Sequence, residues 1–333
     1  MKQIISGLMK PIRRFTMRFE RTTIATIGLL LFSCLQAGLL TAQNAPGADQ
    51  RLAPGASRVT SAPLSKTAGQ SRRTGGDPVD DRVELREYGF QETGENLPYA
   101  VFVSSKVTKD KKAPLVLALH GFSGNHGTFM RTAAVDAAEE GGFILVGAMG
   151  YSPSGSFGMP FGGRGPGPQR GAAAAPAGGR GGRGAPIGGT AVTDAAKVAE
   201  LSEKDAMNVL EMMRKEFNVD DRRIYLMGHS LGGGGALHMG EKYADRWAAV
   251  APLAPAAFGF QWNAESKLKN VPLLIMQGEA DTTVRPASSQ VLADQLKALN
   301  FQCEIKIMPG LDHGTIIAGA MPDVFKFFGK HTR

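Results

Sequence analysis

Residues 114–119 read Pro-Leu-Val-Leu-Ala-Leu, an unbroken apolar run with no polar alternation. A strand of that kind is buried on both faces, which requires a sheet covered on each side by other elements. The chain repeats the theme. Phe143–Gly147, Ile224–Met227, Ala248–Leu253, Val271–Gln277 and Cys303–Met308 are further strand candidates. Val83–Phe90 and Tyr99–Val103 form an earlier pair, linked by a turn around Thr93-Gly94-Glu95-Asn96. Between the strands lie helical patterns. Phe129–Glu140 is stopped by Gly141-Gly142, and Asp194–Phe217 carries Val198, Leu201, Val209, Leu210, Met213 and Phe217 at helix spacing. Gly232–Tyr243, Ala287–Leu299 and a last stretch near Pro322–Phe328 complete the set. Strands alternating with helices predict an α/β fold, a mostly parallel central sheet with helices on both faces.

Three stretches break the alternation. Residues 151–190 contain fourteen Gly and six Pro and sit between a strand and a helix. Such an insert leaves the sheet at a strand's C-terminal end, where open α/β sheets bind ligands. It reads either as a lid or substrate-binding arm or as an excursion without a role. At the other extreme, Ile24–Leu40 is the one long apolar run, preceded by Lys2, Lys10, Arg13, Arg14, Arg18 and Arg21. That pattern reads as an export signal over residues 1–42, cut after Ala42 and leaving a periplasmic or secreted protein. The alternative is an uncleaved membrane anchor through 24–40, and Leu31-Phe32-Ser33-Cys34 resembles a lipidation box, against which Phe32 and the apolar tail Leu35–Leu40 argue. Membrane contact is expected only if the leader stays or Cys34 is lipidated. Residues 43–80 carry almost no large apolar side chains and read as a disordered spacer.

Charge decides one further class. The net charge is +8, but residues 1–80 hold eleven Lys/Arg against four Asp/Glu, and 151–190 hold four Arg and no acid. The remaining body is therefore slightly acidic, and no nucleic-acid partner is expected.

The chemistry concentrates in four short motifs. Gly228-His229-Ser230-Leu231-Gly232 directly follows a strand and opens a helix. A sharp strand-to-helix turn puts the serine at the sheet's rim, and glycine two residues on either side removes the collisions that the turn would cause. Ser230 is the candidate nucleophile. A hydroxyl needs a base, and His313 follows the Cys303–Met308 strand in Pro-Gly-Leu-Asp-His-Gly. Asp281, in the loop after Val271–Gln277, is the candidate acid that orients it, with Glu279 as fallback and Asp312 turned away. The backbone N–H groups of Leu231 and of Phe122, in His120-Gly121-Phe122-Ser123-Gly124, are the expected oxyanion donors. His120 and His229 are expected to bond their loops rather than titrate. Tyr151, Phe258 and Trp262 follow strands at the same edge and are candidate substrate-binding residues. No His/Asp/Glu cluster at ligand spacing appears, so neither a metal nor an organic cofactor is expected.

In chain order, His120–Gly124, Gly228–Gly233, Gly278–Val284 and Asp312–Gly314 resemble the motifs of the α/β-hydrolase superfamily, and the branch is similar to prolyl-oligopeptidase-like, polyhydroxybutyrate-depolymerase and feruloyl-esterase-like serine hydrolases. Arg222–Met227 before the serine supports that branch. The resemblance covers about residues 95–330 and implies an α/β-hydrolase catalytic domain at 81–333. It also implies cleavage of a small-molecule or polymeric carboxylic ester through an acyl-enzyme. The rivals are a small peptidase and an inactive scaffold that binds surfaces. The long N-terminal propeller of the oligopeptidases has no room here, which weakens the peptidase reading.

Overall fold

The computed structural model describes residues 78–159, 187–257 and 259–333. The leader, Cys34, the spacer up to residue 77, the middle of the insert and Phe258 lie outside the described residues.

Eight strands form one sheet in the order β1-β2-β4-β3-β5-β6-β7-β8. They are β1 (Glu84–Phe90), β2 (Glu95–Val103), β3 (Ala113–Leu119), β4 (Ile144–Ala148), β5 (Val219–His229), β6 (Ala249–Leu253), β7 (Leu273–Gly278) and β8 (Cys303–Met308). The β1–β2 hairpin and the β2–β4 pairing are antiparallel, and every pairing from β4 through β3 to β8 is parallel. The expected α/β-hydrolase architecture, mostly parallel with helices on both faces, is what is found.

All seven residues of β3 are buried. Leu115, Leu117 and Leu119 point into one core cluster, Val116 and Ala118 into the other. Helices α2 (Ala195–Glu216), α3 (Leu231–Lys242) and α4 (Pro286–Ala298) cover the first face through Val209, Leu237 and Leu292. Helices α1 (Thr132–Gly141), α5 (Ile316–Gly319) and α6 (Met321–Phe328) cover the second through Val135, Ile316 and Val324. Among the described residues no helix is long and apolar enough to cross a membrane.

Boundaries differ from the sequence reading where tertiary partners decide them. Strand β5 starts at Val219, five residues before the apolar run, because Val219 already pairs with Ala113 of β3, ahead of a register shift that leaves Asp220–Arg223 without a β3 partner. The hairpin tightens so that Phe90 pairs with Glu95, and β2 therefore begins before Tyr99. The spacer's expected end also moves. Asp80 N–H donates to the Met130 carbonyl (2.9 Å) and its carboxylate holds Arg82, so residues 78–80 belong to the body.

Parallel strands place all their C-terminal ends at one edge. Leu119, His229, Leu253, Gly278 and Met308 end there, and the loops that follow them build the site.

Candidate active site

Ser230 occupies the one-residue joint between β5 and α3, with φ 55° and ψ −114°. That is a strained conformation for a non-glycine residue, and it is held from several directions. Its N–H donates to the Leu253 carbonyl (2.9 Å), and its own carbonyl accepts from Gly234 (3.0 Å) and Ala256 (2.8 Å). A side chain on Gly228 would run into the Gly232 carbonyl, and one on Gly232 into the Leu119 carbonyl. Helix α3 starts immediately after the serine, so its positive end lies beside the hydroxyl.

The Ser230 hydroxyl lies 3.0 Å from His313 Nε2, and His313 Nδ1–H donates to Asp281 Oδ2 at 2.7 Å. With the proton fixed on Nδ1, Nε2 is left bare to accept from the serine. The Asp281 side chain is fully buried, whereas the His313 side chain is 22% exposed. Burial alone would raise the Asp281 carboxyl, but the His313 bond and the N–H groups of Val284 and Thr283 outweigh it and hold it below the usual carboxylate range. Gln277 adds a bond from its amide to Asp281 Oδ2 (3.2 Å), and Ser289 in turn holds Gln277 (2.6 Å).

The fallback acid is elsewhere. Glu279 accepts from the Gly310 N–H at 3.2 Å and does not reach the histidine. Asp312 caps its own loop, taking the N–H groups of Gly314 (2.9 Å) and Thr315 (2.8 Å).

The loop after β3 completes the arrangement. A side chain on Gly121 would lie 3.2 Å from Ser230 Cβ, so this backbone rests against the serine. Among the described residues neither the Phe122 nor the Leu231 N–H has a hydrogen-bond acceptor, and the Phe122 ring is 65% exposed. Ser123 N–H donates to the Pro153 carbonyl (2.8 Å) and fixes the loop. The His120 ring lies 2.7 Å from both the Gly121 and Met149 carbonyls, and burial lowers its basicity. A hydroxyl, an imidazole and a buried carboxylate in series, beside two free N–H groups, can pass a proton and receive a developing oxyanion.

Two of the three candidate substrate contacts are placed elsewhere. Tyr151 is fully buried among Phe90, Leu97, Val198 and Leu201, and its hydroxyl donates to Glu95 (2.9 Å). It turns inward because Asp205 takes the Gly150 N–H (2.7 Å), and burial pushes the Asp205 carboxyl up to about 6. Trp262 stacks on Phe260 and packs edge-on against Phe301, which precedes β8. That is the N-terminal edge of the sheet, opposite the serine.

The described ends of the glycine-rich insert are well anchored to the body. Phe157 is fully buried, its N–H donates to Ser202 Oγ (2.6 Å), and Gly158 N–H donates to the Ala199 carbonyl (2.9 Å). At the return, Glu95 accepts from the Thr190 N–H (2.6 Å) and the Ala191 N–H (3.0 Å). Sequence reasoning also missed Gln277 and Ser289. The available signal was a polar residue closing an otherwise apolar strand. Among the described residues no cluster of three His, Cys, Asp or Glu could hold a metal ion.

Comparison with known proteins agrees with the fold. A thermostable esterase superposes with a TM-score of 0.51 at 19% identity, over 77% of this chain and 64% of that one. A ferulic acid esterase from Anaeromyces mucronatus gives 0.52 at 19% identity, over 78% of this chain and 94% of its own. Among curated proteins, a bifunctional acetylxylan esterase/xylanase from Neocallimastix patriciarum is 35% identical over 74 residues, 22% of this chain. The match spans only 10% of that relative's length. Residues 100–320 match the dienelactone hydrolase family. They include all four loops of the site, and the chain belongs to that family.

Proposed function

We propose that this protein is an exported serine hydrolase that cleaves carboxylic esters through an acyl-enzyme. Ser230 attacks the carbonyl carbon while His313 Nε2 takes its proton. Asp281 keeps the ring in the required tautomer and stabilises the imidazolium that forms. The N–H groups of Leu231 and Phe122 receive the oxyanion. His313 then returns the proton to the departing alcohol, and water repeats the sequence to release the acid. The observation that carries this reading is His313 bonded at once to Ser230 and Asp281, three residues brought from separate loops to one sheet edge.

Ester rather than amide substrates are supported by the family, named for hydrolysis of a cyclic ester, and by the esterases among the structural neighbours. The exposed Phe122 ring supports an ester with an apolar or planar group beside the serine. Export rests on the cationic and apolar pattern of residues 1–42.

A fluorophosphonate probe tests the central claim. The wild-type protein is expected to label rapidly and to hydrolyse chromogenic esters faster than a matched peptide amide. Ser230→Ala is expected to abolish labelling and lower kcat by ~10⁴-fold or more with an unchanged melting temperature. Undiminished labelling of the variant would reject the assignment.

A further inference from the structure

His229 sits at the end of β5, immediately before Ser230, and is 7% exposed. Its ring lies 4.6 Å from that of His313, at an interplanar angle of 50°. Its Nε2 is 2.7 Å from the His313 backbone carbonyl. A carbonyl can only accept, so Nε2 carries the proton and Nδ1 is bare. On that bare side lies the loop after β3, since a side chain on Gly121 would come within 3.0 Å of Nδ1. One ring thus touches the loop that carries the base and the loop that carries the Phe122 N–H.

We infer that His229 is a positioning residue for His313, holding the histidine loop to the serine's own strand by its backbone. The inference rests on the serine-hydrolase reading above. The loop of His313 has a second tether, since Ala280 N–H donates to the Leu311 carbonyl (2.9 Å) and ties it to the aspartate's loop. The aspartate tether holds the loop at Leu311, two residues before the base, and the His229 tether holds it at His313 itself. Together they fix its distance to both partners. Misplacing a catalytic group by ~1 Å costs ~10²-fold in rate, which sets the scale of what the second tether protects.

The choice of imidazole follows from the neighbour. During acylation His313 becomes a cation, and a charged donor 4.6 Å away would oppose that step. Burial, and next the nearby His313 ring, lower the basicity of His229 to about 4, while the bond to the His313 carbonyl and, after it, the Asp281 charge work the other way. At neutral pH it therefore donates its hydrogen bond without adding a charge. A lysine or arginine at this position could make the bond but would weaken the base.

Three variants assayed on a chromogenic ester test the assignment, with melting temperature and fluorophosphonate labelling measured alongside. His229→Leu removes the donor and is expected to lower kcat about 10–100-fold with KM within about twofold. His229→Gln places its amide nitrogen the same number of bonds from Cα as Nε2 and is expected to recover kcat to within about threefold of wild type. His229→Asn stops one bond short and serves in place of the leucine variant if that protein fails to fold; it is expected to behave as the leucine variant does. A purely structural role would move the melting temperature without separating Gln from Asn. Wild-type kcat in the leucine or asparagine variant, or an equal loss in Gln and Asn, would overturn the inference. Ser230→Ala run in parallel keeps the two readings apart, because activity surviving there would sink the hydrolase reading itself.

Discussion

Helix α3 has two neighbours that make opposite demands on it. Its first residue follows Ser230 and faces the loop of Gly121 and Phe122, while its second turn receives the root of the glycine-rich insert. Around Ser230 the structure is built from directional bonds between a few polar groups. His313 remains 22% exposed even though Asp281 behind it is fully buried. At the insert root a closed apolar seat is added to the polar anchors. Phe157 is inaccessible to solvent, and a side chain on Gly235 would come within 2.7 Å of its Cβ. On the proposed mechanism the first region sets the rate and the second the stability, although both lean on the same twelve-residue helix. Substitutions should therefore separate rate from stability according to which region they touch.

The largest separation is expected at Asp281. Asp281→Asn leaves the side chain's shape but removes the charge that fixes the His313 tautomer, so kcat should fall by ~10³–10⁴-fold. Thermal melting should move far less than that rate. A variant that loses little activity would show that another group orients the histidine.

Phe157→Ala should do the reverse. Truncating a fully buried aromatic ring costs ~3–5 kcal/mol, a fall in melting temperature of roughly 10 °C for a body of this size. Activity per folded molecule at 20 °C should stay within a few-fold. Loss of kcat without loss of stability would make the insert root part of the reacting site and dissolve the contrast.

The smallest expected effect is on acid stability, where groups from the two regions pull in opposite directions. His229 and His126 are each held at about 4 by burial, against an ordinary value near 6.5, and burial lowers His120 as well. They stay neutral in the fold and take up protons on unfolding, so their contribution is complete above pH 6.5 and is lost as the pH falls towards 4. Asp205, beneath the insert root, is raised to about 6 and works the other way over that range. These three histidines, with His331 lowered in the same sense and Glu95 and Glu203 held at about 2, outweigh that one carboxyl and predict a melting temperature that falls by several degrees between pH 7 and pH 4.5. Asp205→Asn removes the opposing group, so its curve should be steeper. Melting scans at spaced pH values give both slopes, and a flat wild-type curve would contradict the balance.

The order of elements and the reactive corner were legible because chemistry there demands particular residue types at particular chain positions. A serine between two glycines after an apolar strand, and a histidine and an aspartate each following later strands, leave few arrangements in a parallel sheet. What the chain concealed were contacts made at long separation. Tyr151 reads as a rim aromatic until its hydroxyl is found on Glu95, 56 residues earlier. Trp262 follows β6, but the chain between that strand and β7 crosses to the far end of the sheet before it turns back, and periodicity carries no record of that path. Glycine content says least at Gly158, where composition leaves open a lid, a binding arm or an excursion without a role. There a side chain would collide with the Glu203 carboxylate and approach His238 Nε2 to 2.7 Å. Glu203 itself holds His238 (3.0 Å) and Lys242 (2.6 Å) beneath it.

Glu95 has a consequence for how this scaffold can be altered. Its carboxylate gathers the Thr190 and Ala191 amides on one side and the Tyr151 phenol on the other, while Phe157 is seated several residues further on. The excursion's departure and return are thereby riveted to the hydrolase body independently of whatever sequence joins them. Closing a longer chain between fixed posts costs only about 0.6 kcal/mol for each doubling of its length. The position is a ready-made port for grafting foreign peptides onto this scaffold, because its two posts do not depend on the sequence between them.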